Sequence, residues 1–186
     1  MHRRLPAQLA KFLLGSCLMR TTPGCGALAA AGVGALVDAI DNGGGGGGGG
    51  SSGPTMTTAE QSMADQLLGL VNAARIGASL SPLTSDPQLV KAAIGLAVDM
   101  DTRNFFDHID PDGHDPAYRA GKAGATFSSI GENIAQGQAT ANIAMTDLMA
   151  SPNHAANILN PNFTKVGIAV HLGTDGPFWV QDFTSP

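Results

Sequence analysis

Residues 165–183 read KVGIAVHLGTDGPFWVQDF. Val166, Ile168, Val170 and Leu172 alternate onto one face, which predicts a strand with one side turned to a core. The GTDG stretch that follows suits a tight turn, and GPFWVQDF then predicts a returning strand. Strands come late in this chain. Apart from a strand expected at SSIGENIAQG, the residues before the hairpin read as helices, so the order is broadly helices first and strands last. With short connections, that order predicts an α+β domain: a small, mostly antiparallel sheet with helices packed on it.

The helical signals are local and physical. Thr58 followed by Gln61 has the form of a capping box, and Met63, Leu67, Leu70, Val71 and Ala74 then recur at helical spacing. Gly77 opens the stretch that ends this helix. Asp86 and Pro87 supply a cap and a first helical residue for a second helix. Leu89, Ala92, Ala93, Leu96, Ala97 and Met100 fall on one stripe of it. Asp115–Pro116 opens a short third helix. TANIAMTDLMA reads as a fourth, and Ser151–Pro152 starts another short turn.

Upstream, the composition changes. NGGGGGGGGSSGPT, residues 42–55, has no apolar area to bury, so residues 43–56 are expected to be a Gly/Ser-rich linker and the folded domain is expected at 57–186. In residues 1–42, Arg3, Arg4, Lys11 and Arg20 precede the apolar run CGALAAAGVGALV. A basic start followed by such a run resembles a secretory signal and implies a secreted or cell-envelope protein. The run is shorter than the roughly 20 residues a spanning helix needs. Both cysteines, Cys17 and Cys25, lie in this leader, so the domain uses neither disulfides nor Cys-ligated metal. The formal net charge of −5 argues against a nucleic-acid grip, which needs clustered Lys and Arg.

Three residues stand out chemically. SSIGENIAQG, residues 128–137, places Glu132 in an otherwise uncharged run. A carboxylate there needs a partner or a cleft, because burying it alone is costly. His108 follows Phe105 and Phe106 in NFFDHIDPDG, and the two rings are expected to anchor that segment in the core. His154 sits in the first turn of SPNHAANIL. Two imidazoles and a carboxylate on three separate elements suit a divalent cation such as Zn, with a position left for water. His114 and His171 read as solvated. Trp179 reads as core, and Asp182 as either exposed by alternation or closing the sheet edge.

Taken in order, LVNAAR, FFDHIDPDG, GENIAQG, LMASPNHAANILNPNF, VGIAV and FWVQDF resemble the CAP superfamily, also called SCP-like domains. The resemblance spans roughly residues 60–184. It implies a three-layer α-β-α sandwich and a cavity lined by two histidines and acidic residues. By motif, His108, Glu132 and His154 correspond to that set, with Ser151 and Asn133 as further cavity-lining candidates. Leu148 and Ser151 stand where many relatives carry Trp and Glu, so the tetrad is reduced to three. The resemblance implies an extracytoplasmic binding module, holding a cation weakly and a small lipid or peptide nearby. Two alternatives stand beside it. One is a hydrolase using Glu132 on a metal, or Ser151 with His154. The other is a structural module whose polar cluster is hydrogen-bonded without metal. No complete catalytic set is present, which favours binding over catalysis.

Overall fold

A computed structural model describes residues 53–186. The leader and nearly all of the linker lie outside the described residues. The elements run α1 (Thr58–Gly77), β1 (Thr84–Ser85), α2 (Pro87–Thr102), α3 (Pro116–Ala123), β2 (Ser129–Gln136), α4 (Ala141–Ala150), α5 (Pro152–Ile158), β3 (Lys165–Gly173) and β4 (Gly176–Ser185). The predicted hairpin is β3–β4, antiparallel, with Gly173 opposite Gly176. β2 pairs antiparallel with the far side of β4, and the two-residue β1 adds a parallel edge on β3. The strand order is β1-β3-β4-β2.

Helices cover both faces, which makes the fold an α-β-α sandwich. On one face, Val166, Ile168, Val170, Trp179 and Phe183 pack with apolar residues of α1, α4 and α5. On the other, Ala169, Phe178, Val180 and Ile134 pack with the predicted stripe of α2. Strands buried on both sides lose the simple in–out alternation, so Gly167 and Ala169 are buried like the residues of the predicted face. Leu172 departs from the prediction: it is 47% exposed near the turn that ends β3. Gly167 is required by close approach. A Cβ there would come within 2.2 Å of the Leu89 backbone, so only glycine lets α2 lie flat on β3.

Two local expectations shift by one residue. The cap of α1 is Thr57, not Thr58, and the acidic partner is Glu60, not Gln61. The Thr57 hydroxyl accepts from the Glu60 amide at 3.3 Å, and Glu60 Oε2 accepts from the Thr57 amide at 2.7 Å. Tertiary structure decides this register, because Glu60 Oε1 also accepts the Leu172 amide at 2.7 Å and ties the helix start to β3. The buried stripe of α1 is accordingly Glu60, Ala64, Leu67, Val71 and Arg75. α2 and α3 begin as predicted, with Asp86 and Asp115 accepting first-turn amides ahead of Pro87 and Pro116.

Candidate functional site

The site forms at β2, the strand at the open end of the sheet. Register places Glu132 opposite Asp182 and Asn133 opposite Gln181. Alternation then sends the carboxyl pair toward the α2–α3 layer and the amide pair toward α5. Gly131 permits the close approach of α5, since a Cβ there would meet Asn157 Oδ1 at 2.8 Å.

Glu132 is buried, and both of its oxygens are engaged. Oε1 accepts from His108 Nδ1 at 2.7 Å, and Oε2 accepts from Arg119 Nη2 at 2.6 Å. Arg119 Nη1 also donates to the carbonyls of His108 and His114, at 3.0 and 2.8 Å. One guanidinium on α3 thus neutralises the carboxylate and fixes the histidine loop beside it. The loop starts where α2 ends. Asn104 takes a left-handed φ of 54°, and the Phe105 amide returns to the Met100 carbonyl at 3.0 Å. Phe105 packs on the α2 core, but Phe106 does not: it is 47% exposed and lines the groove near His154.

The His108 imidazole is held above the ordinary histidine range, first by its hydrogen bond to Glu132. Its side chain is about half exposed, at 47%. His154 lies across the sheet edge on α5. Burial lowers its basicity, and the proximity of His108 lowers it further. The structure therefore brings His108 and Glu132 into direct contact. It sets His154 close enough to feel His108 without a hydrogen bond to either. Asn133 is fully buried, donating to the His154 carbonyl at 3.1 Å and to Gln181 Oε1 at 3.0 Å. Asn157 Nδ2 completes that seam on Asn133 Oδ1 at 2.9 Å. Ser151 occupies the cap position of α5 but makes no capping bond with its side chain. It lines a groove of about 390 Å³ with His154, Phe106, Ile134 and Leu148.

Two residues of this cluster escaped the sequence reading. Arg119 looks like one more polar residue on a short helix; only the fold aims it at Glu132. Asp182 is neither exposed nor at a sheet edge. It is 1% exposed on the inner strand β4, and among the described residues neither of its oxygens has a hydrogen-bond partner. Burial and then the Glu132 charge push its carboxyl well above the usual carboxylate range. The other histidines are also better placed than expected. His114 stacks on Tyr118 with centroids 4.0 Å apart. His171 lies between Glu60, at 3.4 Å, and Asp101, at 3.1 Å. Among the described residues, His108, Glu132 and His154 do not come together as a trio near enough to share one ion; the group of three or more His, Asp or Glu side chains that does is Asp110, Asp112 and His114. That closeness has a local cause, since Asp110 Oδ1 accepts the Asp112 and His114 amides, both at 2.9 Å.

An α-β-α sandwich with a histidine–carboxylate cluster at its sheet edge is the class of domain defined here. The profile of the Cysteine-rich secretory protein family, CAP, matches residues 68–183, and the chain belongs to that family. It is 36% identical over 132 residues to the Bacillus subtilis (strain 168) protein YkwD, covering 69% of this chain and 51% of YkwD. The chain thus spans about half the length of that relative. Among solved structures, an extracellular protein containing a SCP domain from Bacillus anthracis str. Ames superposes with a TM-score of 0.64 at 30% identity. That match covers 73% of this chain and 45% of the other. An outer surface protein from Borrelia burgdorferi shares the fold, with a TM-score of 0.63 at 22% identity over 67% of this chain and 93% of its own.

Proposed function

We propose that this chain is an extracytoplasmic binding module. Its cleft takes a divalent cation, Zn²⁺ first, on His108 and His154, with Glu132 orienting His108. The observation that carries this reading is the occupied Glu132 carboxylate. With Nδ1 of His108 donating to Oε1 at 2.7 Å, the free nitrogen of that ring is Nε2. A carboxylate behind an imidazole fixes its tautomer and strengthens it as a ligand. The lowered basicity of His154 keeps its ring in the neutral form a metal needs. Two imidazoles fit a cation, but weakly, and the other positions fall to water or to the ligand. The groove of about 390 Å³ beside His154 suits the apolar part of a small peptide or lipid. The extracytoplasmic placement is supported by the basic-apolar leader and by the extracellular relative from Bacillus anthracis. The reading of Ser151 as a nucleophile has no hydrogen bond to His154 behind it.

Calorimetric titration of Zn²⁺ into the full chain tests the proposal. Saturable one-to-one binding is expected at about pH 7.5, weaker at about pH 5.5 because protons compete for the imidazoles. His154→Ala should abolish it, and Glu132→Gln should weaken it roughly 10-fold or more with the fold retained. Absence of heat and of thermal stabilisation at both pH values would sink the cation site and leave a structural polar network.

A further inference from the structure

Residues 53–186 carry Arg75, Lys91, Arg103, Arg119, Lys122 and Lys165 as their Lys and Arg. Four of these are engaged. Arg75 donates to backbone carbonyls, Arg103 pairs with Asp112 at 2.6 Å, Arg119 with Glu132 at 2.6 Å, and Lys165 with Asp86 at 2.8 Å. Lys91 and Lys122 have no carboxylate partner among the described residues, although the chain is acidic, with a formal net charge of −5. Both line the same groove, about 410 Å³, between α2 and α3. Among the described residues no Asp or Glu lines it, and its walls include Ala92, Gly95, His114, Tyr118, Arg119 and Ala123.

The helical periods explain the convergence. Lys91 and Gly95 are one turn apart on α2, and Tyr118 and Lys122 are one turn apart on α3. Lys122 Nζ stands 5.8 Å from the Tyr118 ring centroid. Gly95 is the second observation. Glycine inside a helix costs stability relative to alanine. Packing does not require it here, because a Cβ at Gly95 would meet nothing within 4 Å. Its effect is to leave the wall of the groove open.

We infer that the α2–α3 groove is a second binding site, for a small organic anion with an apolar body, whose acidic head lies between Lys91 and Lys122. The body rests on Ala92, Gly95 and the exposed part of Tyr118. This site is distinct from the His108–His154 cleft but adjoins its cluster, because Arg119 lines the groove and also pairs with Glu132.

The test uses the full chain and the fluorescent probe 8-anilinonaphthalene-1-sulfonate. One saturable site is expected. Lys91→Glu/Lys122→Glu should weaken it at least about 10-fold, and Gly95→Phe should weaken it comparably, with circular dichroism and Zn²⁺ titration unchanged. Gly95→Ala serves as the folding control and should melt no lower than the parent. Displacement of the probe by decanoate assigns an aliphatic body, and displacement by 2-naphthoate alone assigns a planar aromatic one. Probe binding unaffected by both groove variants, or displaced by neither anion, overturns the inference.

Discussion

Two buried polar regions of this molecule are built on opposite terms. On the α1 side, Arg75 is 1% exposed, and its donors reach the carbonyls of Ser81 (2.9 Å), Ile158 (2.8 Å), Asn160 (2.9 Å) and Phe163 (3.0 Å). Every partner is a backbone oxygen, and the bonds to Ile158 and Phe163 are buried from water, so the side chain staples the segments after α1 and α5 to the core. On the α3 side, Glu132 is fully engaged, but among the described residues Asp182 beside it has no hydrogen-bond partner, and neither does the Nε of Arg119. A satisfied charge set specifies a fold. A partly satisfied one costs stability, and such costs gather where a protein binds or reacts.

Breaking the first region should have the largest effect. Arg75→Met keeps the apolar stem and strips four carbonyls of their donor, two of them buried, so a loss of at least about 3 kcal/mol is expected in urea unfolding. A loss under about 1 kcal/mol would mean water replaces the guanidinium and the staple is dispensable. The second region should respond with the opposite sign. Asp182→Asn removes the ionisable group and keeps a donor beside Glu132, so a gain of roughly 1–2 kcal/mol is expected at about pH 7. The sign follows from the raised carboxyl. Between the unfolded carboxylate value and the folded one, only the unfolded chain releases the Asp182 proton, and wild-type stability falls as pH rises. The gain from Asp182→Asn should therefore vanish near about pH 3 and grow above about pH 4, read as melting temperature against pH. A constant difference would place its origin in packing instead.

The smallest effect belongs to the exposed arm of the same cluster. His108 is raised by Glu132, so its contribution is complete below about pH 6.5, the unfolded histidine value, and fades as pH rises through the folded value. In metal-free buffer, His108→Gln should melt lower than the parent at about pH 6 and nearly equal to it at about pH 9. The difference should stay under about 1 kcal/mol, because the ring is half exposed. A difference that grows with pH would contradict the ion pair.

Much of this was legible in the chain itself. The α2 stripe from Leu89 to Met100 is buried throughout, and Asp86–Pro87 and Asp115–Pro116 open helices as their chemistry requires. The β3–β4 hairpin follows from alternation and its Gly-rich turn, and the six motifs in order carried the family. These features are local: a cap, a stripe or a turn is decided by residues within one or two turns of chain. The partners were not local. Arg119 meets Glu132 across 13 positions of chain, and Glu60 reaches Leu172 across 112. Asp182 is buried only because β2 closes over β4 with Glu132 in register beside it. By itself the sequence determined the helices, the terminal hairpin and the candidate histidines, but not the insertion of β1 after α1, nor that β2, between α3 and α4, joins the sheet beside β4. Tertiary structure alone decided which charges pair and which are left without a partner, because hydrogen bonds and desolvation act through space while periodicity acts along the chain.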